Sequence, residues 1–170
     1  MYDYQIPDAR LAAWSLLFQA FYAARKAEER RLYKAKVGLT HDKLTVLQLA
    51  THYESPLTPA KISRSLFRES QTIAALLSRM ERDGLVKRVP KRKGKPYTEV
   101  KATAKGEELC GPAAEVDASV ATEIMSCLST EELEQLQKLL RKIRQKALDE
   151  LYIELLPPPQ RVASWLEEIE

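Results

Sequence analysis

At Gly84 the periodicity of the sequence changes, and that change constrains the fold more than any other feature of the chain. Upstream, in "ESQTIAALLSRMERDG", Ile73, Leu76, Leu77 and Met80 recur at steps of three and four, the spacing of one buried helix face. Downstream, "LVKRV" and "YTEVKAT" alternate apolar with polar or charged residues around the turn "PKRKGKP", the spacing of a short two-stranded hairpin with a basic tip. Gly84 itself is the residue type that ends a helix with a left-handed turn.

The rest of the chain reads as helices. Asp8 caps a first one, whose Leu11, Trp14, Phe18, Phe21 and Tyr22 recur at helical spacing, with Gly38 as its stop. A second opens at Thr40 and carries Leu44, Leu47 and Leu49. In "LTPAKISRSLF" Thr58 is a cap and Pro59 takes the first helical position, where its missing N–H costs nothing, so that Ile62 and Leu66 face inward. After the hairpin, Thr103 caps a helix running toward Cys127, with Cys110 also on it. "STEELEQL" then opens the last long helix through a capping box of Ser129 and Glu132. Leu133, Leu136, Leu140, Ile143, Ala147 and Leu151 form a seam suited to a partner helix, and "PPP" at 157–159 stops it. Val162, Trp165, Leu166 and Ile169 in the tail keep helical spacing and predict a short docked helix. With five glycines and few β-branched runs, the fold class is mainly α with a small β-hairpin.

Two short helices followed by a basic hairpin is the order of a winged helix-turn-helix, in which the second helix enters the DNA major groove and the hairpin, the wing, lies along the neighbouring backbone. The outward positions Ser70, Gln71, Thr72, Ala75, Ser78 and Arg79 are small or hydrogen-bonding, which lets a groove floor come close. In the wing, Lys87, Arg88, Lys91, Arg92, Lys93 and Lys95 put six basic residues into nine positions. Between Leu57 and Gly106 thirteen Lys or Arg stand against four acids, so this third of a chain of net charge +3 is strongly positive and the remainder acidic. A charge run is in general a solvated loop. One set beside a helix-turn-helix order is the footprint of a polyanion-binding surface.

From "LTHDKLTVLQLA" through "LTPAKISRSLF", "SQTIAALLSRMERDGLVKR", "TAKGEEL" and "LSTEELEQLQKLLRKI", the sequence resembles the MarR family of bacterial transcriptional regulators over roughly residues 10 to 150. The resemblance implies a dimer held by the first and last helices, a winged helix-turn-helix on each protomer, and often a small-molecule or redox signal that releases DNA. It also shows two departures. The wing's Asp-Arg pair falls on Gly94 and Lys95, which leaves Lys95 a phosphate contact without the planar fork that suits a narrow groove. The turn before the recognition helix, usually glycine, is Phe67, which predicts a different turn geometry because a bulky residue at positive φ is costly.

Other chemistry is sparse. His41 and His52 have no Asp, Glu or Cys at a recognised ligand spacing, so neither a metal nor a cofactor is expected. Cys110 and Cys127 make no disulfide framework, which fits a reducing compartment, and no basic cluster lies near either in sequence to activate it. No phosphate-cradling loop and no nucleophile motif argue for an enzyme, and a redox enzyme using the two thiols is a remote third reading. The start "MYDYQIPDAR" lacks a signal-peptide layout and "LAAWSLLFQAFYAA" is too short to span a bilayer, which predicts a cytoplasmic chain.

The sequence therefore divides into a dimerisation helix over 8–38, a winged helix-turn-helix over 39–103, C-terminal dimerisation helices over 104–156 and a tail over 157–170. The expected function is sequence-specific regulation of transcription, as a repressor, by a homodimer on an inverted repeat in double-stranded DNA, released by a small effector. A winged-helix module that binds an acidic protein partner, without sequence-specific DNA recognition, fits the same basic surface.

Overall fold

The computed structural model describes residues 6–52, 56–91, 94 and 96–153. The described elements run α1 (Ala9–Lys34), α2 (His41–His52), α3 (Pro59–Leu66), α4 (Ser70–Arg82), β1 (Val86–Lys91), β2 (Tyr97–Ala102), α5 (Ala104–Met125) and α6 (Thr130–Glu150). The predicted helix after residue 157 lies outside the described residues.

Local caps set these boundaries. Asp8 Oδ1 accepts from the amides of Arg10 and Leu11 at 2.8 and 3.0 Å and starts α1. That helix stops at Lys34, short of Gly38, because Lys36 (φ 54°) already takes the left-handed turn. Thr58 accepts from Lys61 to start α3, and the Ser129–Glu132 box opens α6 in both directions. The hairpin is longer than its sequence predicts: Pro90 and Lys91, read as turn, pair with Thr98 and Tyr97 as the last rungs. Proline is tolerated there because both strands of a two-stranded sheet are edges.

The core sits where α2, α3, α4 and the hairpin meet. Leu44, Val46 and Leu47 of α2, Ile62 of α3, Ile73, Leu77 and Met80 of α4, and Val100 of β2 are almost wholly buried, each stabilising the fold by about 1.5–3 kcal/mol. Leu32 of α1 and Ala113 of α5 join the same cluster from the other side. The Leu57 carbonyl accepts from the Val100 amide at 2.8 Å, which ties the start of α3 to the wing.

Entry into α5 is locked by two small residues. The Thr103 hydroxyl donates to the Gly84 carbonyl at 2.6 Å and accepts from the Gly106 amide at 3.1 Å. A Cβ on Gly106 would stand 2.2 Å from the Leu85 carbonyl oxygen, so only glycine permits this approach. Cys127 lies beyond the end of α5, in the turn to α6, rather than on the helix.

The two terminal helices leave a large part of their apolar surface in solvent. Leu11, Trp14, Phe18, Phe21 and Tyr22 of α1 are all exposed, with Trp14 and Phe18 edge-to-face at 4.8 Å between centroids. On α6 only Leu148 is buried, while Leu139, Leu140 and Ile143 are open.

Candidate nucleic-acid interface

The helix-turn-helix is fixed by its turn. Phe67 caps α3 at φ 49°, ψ 45°, its amide bonded back toward the Arg64 and Ser63 carbonyls. The glycine-type geometry is thus retained by a phenylalanine, against the expectation of a different turn. The Arg68 amide donates to the Ser63 carbonyl and the Ser63 hydroxyl returns a bond to the Arg68 carbonyl, at 3.0 and 2.5 Å, which over-determine the strained residue. Phe67 itself is 61% exposed, so burial of its ring contributes little.

The turn delivers α4 with a bare amino end. Glu69 at its N-cap makes no side-chain cap bond, and no acid occupies the first turn. The first amides of α4 therefore lack side-chain partners at the end where the helix dipole is positive, an arrangement that accepts a phosphate. Ser70, Gln71, Thr72, Ala75, Ser78 and Arg79 are all exposed, while Ile73, Leu76, Leu77 and Met80 hold the opposite face in the core. The structure brings the predicted contact residues onto one open face.

The wing departs more from its sequence reading. The register places Val86, Arg88 and Pro90 opposite Ala102, Val100 and Thr98 on one face, with Lys87, Val89 and Lys91 opposite Lys101, Glu99 and Tyr97 on the other. Arg88 therefore turns toward α4. Its amide donates to Glu81 Oε1 at 2.9 Å, its Nε to Glu81 Oε2 at 2.7 Å, and an Nη reaches the Ser78 hydroxyl at 3.4 Å. These bonds hold the Glu81 carboxyl below its ordinary range. Arg88 thus clamps the wing to α4, and much of its charge is already answered.

Lys91 is also paired. Glu99, only 15% exposed at its side chain, stands 3.3 Å from the Lys91 ammonium and 3.5 Å from that of Lys101. Lys87 has no acidic partner among the described residues and directly faces Lys101 across the strands. Lys101 is a wing cation that the sequence reading missed; the two-residue alternation of "YTEVKAT" was its signal, but which face it took depended on the pairing register. Arg92, Lys93 and Lys95 lie outside the described residues.

A second anchor holds the far end of α4. Lys43 of α2 meets the Asp83 carboxylate at 2.7 Å, and this hydrogen bond holds that carboxyl below its ordinary range. The Lys105 ammonium adds a bond to the Asp83 carbonyl at 2.8 Å. In "RMERDGLVKR", then, Glu81 orients the wing, Asp83 fixes the helix end, and Gly84 (φ 72°) supplies the left-handed step into β1.

The remaining candidates separate clearly. Cys110 is buried, and burial pushes its thiol up; the neighbouring Thr51 hydroxyl, which finds no partner of ordinary hydrogen-bond geometry, opposes part of that rise. Cys127 is exposed. His41 is not the solitary histidine its sequence neighbours suggest, because the fold brings Glu28 and Asp117 to it. Among the described residues no helix is long and apolar enough to cross a membrane.

Residues 39–106 match the family described as a winged helix DNA-binding domain, and it is these residues that fold into the helix-turn-helix and hairpin. The chain's solved structural relatives narrow the architecture. The organohalide-sensing transcriptional regulator RdhR-CbdbA1625, in its 2,4-dichlorophenol-bound form, is 23% identical with a TM-score of 0.77 and covers 94% of this chain and 98% of its own. MepR of S. aureus, solved with DNA, is 21% identical with a TM-score of 0.71, covering 82% and 99% respectively. AbsC, a MarR family transcriptional regulator from Streptomyces coelicolor, is 18% identical with a TM-score of 0.74, covering 85% and 97%. The chain has the MarR-like winged helix fold, as its resemblance to that family implies. No protein of curated function matches its sequence significantly.

Proposed function

We propose that the chain is a transcriptional repressor that binds an inverted-repeat operator as a homodimer in the cytoplasm. The observation that carries this reading is the open face of α4: a bare amino end, small hydrogen-bonding side chains at Ser70, Gln71 and Thr72, and a clamped wing beside it. Gln71 is suited to pair with a base edge, while Lys87, Lys101, Arg92, Lys93 and Lys95 supply phosphate contacts.

The dimer rests on the uncovered apolar faces. Trp14, Phe18 and Phe21 of α1 and Leu140 and Ile143 of α6 are 38–58% exposed in the single chain, more clustered apolar surface than a monomer keeps in water. A second copy covers both helices at once and presents two recognition helices with two-fold symmetry. Release by a small ligand is part of this reading. A cleft of about 720 Å³ at the α1–α2 corner, lined by Leu32, Tyr33, Leu39 and Thr40, has room for a small molecule, and the 2,4-dichlorophenol-bound relative is a precedent for small-molecule binding on this fold.

Selection of bound duplexes from a random library tests the reading directly. A symmetric consensus, bound in preference to its scrambled form at fixed salt, is the expected result. Binding without sequence preference, together with capture of acidic protein, would instead favour the interaction-module reading.

A further inference from the structure

We infer that Glu28, His41 and Asp117 form a binding site for a divalent transition-metal ion of the zinc class, and that the ion couples α1 to the winged domain. Glu28 is the one buried charged side chain among the described residues, at 6% exposure. His41 Nδ1 lies 2.7 Å from each of its carboxylate oxygens, and donor atoms of Glu28, His41 and Asp117 all fall within 4.8 Å of one another. The three come from three helices: Glu28 from α1, His41 from the first turn of α2, Asp117 from α5.

The electrostatics leave a negative excess. Two carboxylates share a half-buried pocket with a single imidazole, which carries at most one positive charge. Nearby cations are engaged elsewhere, Arg25 with Asp42 at 3.3 Å and Arg31 with Glu123 at 2.5 Å. Among the described residues Asp117 has no hydrogen-bond or ion-pair partner of its own. A half-buried, unpartnered carboxylate beside the buried Glu28 leaves a negative excess, and a divalent cation is the ligand that answers it.

The donor set selects the ion. One nitrogen and two carboxylates, with Cys110 and Cys127 outside the cluster, suit zinc, manganese or ferrous iron rather than a soft ion that prefers sulfur or a hard one that avoids imidazole. A tetrahedral site with bonds of about 2.1 Å has donor separations of about 3.4 Å, so side-chain adjustment on the order of 1 Å closes the triad. Water completes the coordination.

Its position gives it a regulatory role, which rests on the proposed DNA-binding function. α2 opens the matched winged domain, α1 is the arm proposed to hold the second copy, and α5 connects them. An ion pinned among all three fixes the angle between arm and winged domain. Recognition helices in a dimer must match half-sites about one helical turn apart, so a fixed angle changes operator affinity.

The experiment uses chelator-treated full-length protein. Zn²⁺ is titrated in competition with a chromophoric chelator, while ring-nitrogen NMR follows His41 and His52, the only histidines in the chain. The expected result is one ion per protomer with a large shift at His41, affinity falling about tenfold or more in Asp117→Asn and in His41→Gln, and no loss in a Cys110→Ser, Cys127→Ser double variant. Melting curves of Asp117→Asn establish that it folds, since its carboxylate has no partner to lose. Metal binding unchanged in both triad variants, or an unmoved His41 resonance, would overturn the site. With the selected operator, Zn²⁺ should change affinity about fivefold or more in the wild type and not in Asp117→Asn. An operator affinity indifferent to Zn²⁺ overturns the coupling alone. Stoichiometric Zn²⁺ on a protein with no operator preference supports the site and overturns the repressor reading.

Discussion

Phe67 and Gly106 show how single positions carry backbone demands. Phe67 occupies a left-handed conformation that costs a bulky residue about 1–2 kcal/mol, and its exposed ring regains little of that. Phe67→Gly should therefore raise stability, by about 0.5–1 kcal/mol after glycine's extra unfolded-state entropy is counted, read as a higher urea midpoint at unchanged slope. Gly106→Ala should do the opposite. Its methyl has nowhere to go but into the Leu85 carbonyl, so a loss of about 1–3 kcal/mol is expected in the same titration. The two thiols also differ at this scale. Iodoacetamide should modify Cys127 in the folded protein while Cys110, buried and held protonated, reacts only on unfolding; the sequence, which set the two on one helix, suggested inert thiols at both.

Among the elements, α4 and the hairpin work as one unit because Glu81 joins them. Glu81 is held below its ordinary value of 4.5 in the fold, so its contribution to wing docking is full above that pH and is lost as pH falls through the lower folded value. Glu81→Gln should increase amide exchange across β1 near neutrality, and the difference from wild type should shrink below pH 4.5 and disappear once the pH passes the lowered folded value and the wild-type carboxyl protonates. Base reading and phosphate binding should also separate by element. Ala at Lys87 and Lys101 should flatten the dependence of log K on log[salt] by about 0.9 per lost contact on each protomer, leaving the ranking of operator variants intact. Gln71→Ala should keep the salt slope and relax discrimination at one symmetric pair of positions by about 1–3 kcal/mol each, for a bidentate pair. An unchanged slope in the lysine variant would show that this outer face of the wing does not meet phosphate.

For the whole molecule, the apolar faces of α1 and α6 predict a dimer mass by light scattering at micromolar concentration, with Ile143→Asp shifting it toward the monomer while helicity is retained. What the sequence determined alone was what short-range physics controls. Asp8, Thr58 and Ser129 start helices by bonding amides two or three residues away, and the stripe of Ile73, Leu77 and Met80 needs only helical geometry to face one way. The order of helix, helix and hairpin follows from those local choices, and with it the winged fold and the outward face of α4. Only tertiary structure decided the rest. Strand register turned Arg88 inward to Glu81 and set Lys101 beside Lys87, because a one-residue slip exchanges the two faces of a strand. Helix packing brought Glu28 and Asp117 to His41 from remote parts of the chain, and no spacing rule links residues whose neighbourhood is made by three separate helices. A phenylalanine kept the left-handed turn because the Ser63 and Arg68 bonds around it outweigh the strain, a balance that exists only once those groups have been assembled.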